Sequence, residues 1–80
     1  MEVQFKNSKV QRVLQDHKLL TRKYGTQQAE EIIQRLNEFT AAENLFDISK
    51  IPQARLHSLS NNLKGLWSVD VKNPYRMLIE

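Results

Sequence analysis

The run "LWSVDVKNPYRMLIE", residues 66–80, constrains the fold more than any other stretch of the chain. Trp67, Val69 and Val71 alternate with Ser68 and Asp70, the two-residue period of a strand with one apolar and one polar face. Asn73-Pro74 interrupts the alternation, and Tyr75, Met77 and Ile79 resume it. Loop parity then decides the pairing. A three-residue connection, Lys72-Asn73-Pro74, sets Val71 against Tyr75, Val69 against Met77 and Trp67 against Ile79, with every apolar side chain on one face. A two-residue connection puts Arg76 beside Val71 on that face. Register follows the hydrophobic pattern, so the three-residue connection is expected, with Asp70 opposite Arg76 on the other face.

An apolar sheet face needs a cover, and the sequence upstream supplies one. "NSKVQRVLQDHKLLTRKYG" reads as a helix that opens on a Ser8/Gln11 capping box. Its stripe is Val10, Val13, Leu14, His17 and Leu20, with His17 expected to pack rather than react. Lys18, Arg22 and Lys23 suit the negative end of its dipole, and Gly25 can close it. Thr26 is expected to cap a second helix, with Glu30 and Glu31 as dipole-friendly early residues. Its stripe is Ala29, Ile32, Ile33, Leu36 and Phe39, and its signal fades near Ala42. Two helices joined by a tight Gly turn form an antiparallel hairpin.

The remaining elements are short. "MEVQF" reads as a first strand, with Val3 and Phe5 on one face. "ENLFDISKIPQA" reads as a connector anchored by Leu45, Phe46 and Ile48, and Pro52 argues against regular structure there. "ARLHSL" reads as a short strand and "SNNLKG" as a turn. The expected fold is α+β in the order β-α-α-β-β-β, the helical hairpin packed on one face of a small, mainly antiparallel sheet. The open face carries Ser68, Asp70, Arg76 and His57, while Trp67 and Tyr75 are expected in the core.

Size and charge narrow the class. Eighty residues make one domain, residues 1–80, which buries about 60–65% of its unfolded surface. Cysteine is absent, which excludes disulfides and thiolate metal sites. No run of about eighteen apolar residues offers a membrane span, and the N-terminus lacks the apolar centre of a signal peptide. A cytoplasmic protein is expected. The net charge is +3, unevenly spread. Residues 6–23 hold six Lys/Arg and one Asp, residues 24–49 one Arg and five acids, and residues 50–76 five Lys/Arg and one Asp. A fold that joins the two basic blocks makes a positive face suited to phosphates.

"RLHSL", then "LKGLWSVDV", then "YRMLI" resemble the RelE/ParE toxin superfamily, and within it the HigB-type plasmid maintenance killer toxins. The match falls on Arg55, Leu56, His57, Leu59, Gly65, Trp67, Ser68, Tyr75 and Arg76, and the upstream order of elements agrees. The resemblance implies a RelE-like fold and a toxin of a type II toxin–antitoxin pair, acting in the bacterial cytoplasm. It implies a metal-independent, cofactor-free endoribonuclease that cuts messenger RNA on the ribosome. It also implies a cognate HigA-like antitoxin carrying a helix-turn-helix domain, through which alone operator DNA is bound.

Metal-free RNA cleavage needs a proton-transfer group and a cation for the phosphorane. Histidine suits the first and arginine the second. His57 and Arg76 stand at the family's functional His and Arg positions and are the expected catalytic pair. Arg55, Lys64, Lys72 and Ser68 are the expected RNA contacts, largely to the backbone. Two departures stand out. Many HigB-type toxins place a Lys three residues after the His; here Ser60 stands there, leaving Arg55 and Lys64 as candidate replacements. The family also continues through a further strand to a tail that contributes to the site, whereas this sequence stops inside a strand signal, so a form lacking that last strand is expected. Two rival readings follow from these departures: a toxin-like module that only binds its antitoxin, and a ParE-like toxin directed at DNA gyrase.

Overall fold

The computed structural model describes all 80 residues. Four helices lead into a three-stranded antiparallel sheet: α1 Ser8–Gln15, α2 His17–Tyr24, α3 Thr26–Ala41, α4 Leu45–Ser49, β1 His57–Ser58, β2 Trp67–Asp70 and β3 Arg76–Ile79. Short 3-10 turns at Pro52–Ala54 and Asn61–Leu63 flank β1. The strands lie in the order β1-β2-β3.

The hairpin has the register that its alternation demands. Trp67 pairs with Ile79, Val69 with Met77 and Asp70 with Arg76, and Val71 N–H donates to the Tyr75 carbonyl at 3.3 Å. On the covered face, two apolar clusters form. Phe39, Ala42, Ile48, Ala54 and Val69 make one; Leu20, Ala29 and Ile32 make the other. Leu36 and Met77 pack against both, so α3 and β3 join the two halves. Burying a side chain such as Leu20, Ile48 or Val69, each 0% exposed, contributes about 1.5–3 kcal/mol.

Several local expectations need correction. The first strand is absent. Residues 1–5 alternate in burial, and Met1 and Val3 pack on the core, yet they pair with no strand. The α-amino group is bound instead to the carbonyls of Phe39, Thr40 and Ala42. A cation at the negative end of α3 is favourable, and it ties the segment to a helix end rather than a sheet edge.

The first helix is two helices, because Asp16 adopts an extended conformation that ends α1, while its carboxylate accepts from the N–H groups of Lys18 and Leu19 and starts α2. The break resets the helical phase, so His17 is exposed rather than packed. Asn7, not Ser8, caps α1. Gly25, at φ +86°, both ends α2 and precedes α3, a left-handed conformation that favours glycine. Thr26 is therefore the first helical residue and makes no cap.

In the connector, Asn44 caps the short α4, and Pro52 opens a 3-10 turn, where its missing N–H costs nothing. Leu45 and Ile48 face the core, but Phe46 is 66% exposed under the Lys50 ammonium, 4.5 Å from its ring centre. Tyr75, expected in the core, is likewise 66% exposed at the end of the hairpin loop.

Asp16→Ala removes the cap of α2. It should lower unfolding free energy by about 1 kcal/mol, read from a shifted urea midpoint at unchanged slope.

Candidate active site

The open face of the hairpin is built by alternation. Ser68 and Asp70 leave β2 on the side away from the helices. β1 adds His57 opposite Ser68, and β3 adds Arg76 opposite Asp70. The short β1 brings one more cation. Arg55 lies two residues before His57 in a left-handed conformation, φ +45°, a backbone state that costs a non-glycine residue about 1–2 kcal/mol.

These side chains meet at Asp70. Its Oδ1 lies 3.2 Å from Arg76 Nε, and its Oδ2 lies 3.5 Å from Arg55 Nη1. Arg76 Nη1 reaches His57 Nε2 at 3.0 Å. A guanidinium has only donors, so this contact is a hydrogen bond when Nε2 accepts, which requires the imidazole proton on Nδ1. The cluster thus links two permanent cations, one carboxylate and one imidazole in a chain of contacts, Arg55–Asp70–Arg76–His57. Arg76 keeps its Nη groups on the side of His57 while Asp70 holds it by Nε. Exposed ion pairs of this kind contribute roughly 0–1 kcal/mol each, too little to explain the arrangement by stability. The net positive charge and the forked donors match the oxygens of a phosphate.

The other expected site residues are placed differently. Lys64 follows the 3-10 turn between β1 and β2, exposed and without an ion pair. Ser60 precedes that turn. Of the two candidate replacements for a Lys at that position, the fold brings Arg55 into the cluster and leaves Lys64 outside it. Lys72 turns toward α3: its ammonium donates to Gln27, and its backbone N–H and C=O bond the amide of Gln28 at 2.9 and 3.3 Å. Ser68, expected on an open face, is 1% exposed with no partner for its Oγ. It lies between His57 and Leu78 in the sheet.

The family is decided by the chain as a whole: a family model described as the RelE-like toxin of the type II toxin–antitoxin system HigB matches residues 3–80. The chain belongs to the HigB-like toxin family. It is a toxin of a type II toxin–antitoxin system, and such a toxin has a cognate antitoxin as partner. No curated protein and no solved structure matches it. No helix of the toxin is long and apolar enough to cross a membrane.

Sequence reading missed two buried polar residues. Gln28 is 7% exposed and Arg35 3%. Positions 28, 32, 35 and 39 share one face of α3 with the apolar stripe, and that spacing was the available signal. Arg35 Nε donates to the Asp70 carbonyl at 2.8 Å, and its guanidinium pairs with Glu38 and with Glu31, the latter at 3.5 Å.

Arg76→Met should release His57 Nε2. The neutral ring is then expected to move from the Nδ1–H tautomer to the Nε2–H form that predominates in water, as read by nitrogen-15 shifts of the imidazole.

Proposed function

We propose that this toxin is a metal-independent endoribonuclease that cuts messenger RNA on the ribosome and is held in check by a cognate antitoxin carrying a helix-turn-helix DNA-binding domain. The reading is supported by family membership and carried by one observation, the 3.0 Å contact between Arg76 Nη1 and His57 Nε2 beside Asp70. An endoribonuclease that works without a metal needs a proton carrier and a phosphate-binding cation within one phosphate's width of each other.

The reaction is transesterification. The ribose 2′-oxygen attacks the adjacent phosphorus, its proton departs, and the bond to the 5′-oxygen breaks as that oxygen gains a proton. The products are a 2′,3′-cyclic phosphate and a free 5′-hydroxyl. His57 is the proton carrier. Its Nε2 lone pair is engaged by Arg76 in the free toxin and becomes available once the phosphate draws the Arg76 Nη groups to its own oxygens. Arg76 then stabilises the charge of the phosphorane, where it is needed most. Arg55 contributes a second cation at the same phosphate or its neighbour, a role for which its Asp70 contact aims it. Lys64, on the exposed turn, contacts the RNA backbone farther along without selecting sequence.

His57→Gln should lower cleavage about 10²–10⁴-fold, the range of general acid–base catalysis. Arg76→Ala should lower it about 10²–10³-fold, the loss for one transition-state donor. Both variants should retain the wild-type melting profile. The measurement is cleavage of a translated transcript in a reconstituted reaction. Cuts that persist in both variants refute the assignment, and no cleavage by the folded wild type favours an antitoxin-binding module.

A further inference from the structure

Arg35 is the only charged residue the fold buries, and the chemistry above makes no use of it. Its partners are specific. Glu31 and Glu38, one turn to either side on α3, hold the two Nη groups, which fixes the guanidinium plane and aims Nε away from the helix. Nε–H donates to the main-chain carbonyl of Asp70.

That carbonyl has no strand neighbour. The Val71–Tyr75 hydrogen bond marks Val71 and Tyr75 as a bonded pair. Alternation along an antiparallel ladder then turns the N–H and C=O of Asp70 away from β3, toward β1. Extending the His57–Ser68 pairing by two residues sets Arg55 opposite Asp70. Arg55 does not serve it: its backbone is left-handed, and its N–H donates to the Pro52 carbonyl at 3.3 Å. The ladder stops one residue pair short, and Arg35 fills the vacant donor position from the helix layer. The residue it holds is the one whose carboxylate grips both Arg55 and Arg76.

We infer that Arg35 is a positioning residue for the site: by bonding the Asp70 carbonyl it fixes the end of β2, so that the Asp70 carboxylate presents Arg76 to His57. This rests on the nuclease reading only for its kinetic arm. A buried cation that served the fold alone would act on stability and leave the Arg76 geometry untouched.

The test compares Arg35→Lys with Asp70→Asn and with the double variant. Lysine keeps the charge for Glu38 and lacks the Nε–H fork. In the wild type the ion pair between Arg76 Nε and the Asp70 carboxylate at 3.2 Å should set the chemical shift of the Arg76 Nε–H in proton–nitrogen spectra. In Arg35→Lys this signal should move toward its position in Asp70→Asn, while circular dichroism stays native. Cleavage at saturating ribosomes should fall about tenfold, the scale expected when a reacting group is misplaced by a fraction of an ångström, with half-saturation unchanged. The double variant should be no slower than Asp70→Asn, because both act through one contact. An unchanged Arg76 signal in folded Arg35→Lys overturns the inference, as do losses that multiply in the double variant. If Arg35→Lys does not fold, Glu38→Gln loosens the same guanidinium, and an unchanged Arg76 signal there is equally decisive. If the wild type cleaves nothing, the nuclease reading fails, and the Arg76 signal still decides the role of Arg35.

Discussion

The pairing of β2 with β3 sets both faces of the sheet in one step. The register that lays Val69 and Met77 beneath α3 also lays Asp70 against Arg76 on the far side. Side chains alternate with a period of two, so neither face can be altered alone. The core therefore defines the cluster's geometry: apolar burial holds the strands, and the strands hold Arg76 in contact with both His57 and Asp70.

That coupling explains why the hairpin was legible in the sequence. Its alternation and the parity of its loop leave one acceptable register, and the resemblance around "RLHSL" and "YRMLI" named His57 and Arg76 independently. What stayed hidden depends on long-range contacts. The alternation of "MEVQF" is real in its burial, yet pairing requires a free neighbouring edge, and the amino terminus finds the end of α3 instead. The helix break at Asp16 was concealed by an apolar stripe whose spacing tolerates a reset, and His17 lost its expected place with it. Arg35 was concealed by its charge. Only the simultaneous presence of Glu31, Glu38 and an orphan carbonyl makes burial of a guanidinium tolerable, and the carbonyl is thirty-five residues away in sequence.

The site is also a study in what stability does not explain. Arg55 sits in a costly backbone conformation, and its ion pair with Asp70 is largely exposed. Ser68 keeps a hydroxyl without a partner under the same face. These features weigh against folding or add little to it. They are concentrated around the patch formed by Asp70, Arg76 and His57, and backbone strain of this kind is commonly retained at functional sites.

Gln28 has a further consequence. Its side-chain amide donates to the carbonyl of Lys72 and accepts from its N–H, the same pair of bonds a neighbouring strand would supply. A one-residue slip of the hairpin inverts its faces and is rejected by the core. A two-residue slip preserves both faces, so apolar burial discriminates poorly against it. The Gln28 amide can grip only one residue at the loop, and it is fixed on α3. It acts as a key that fits a single notch, selecting among alignments that the hydrophobic pattern treats as equivalent.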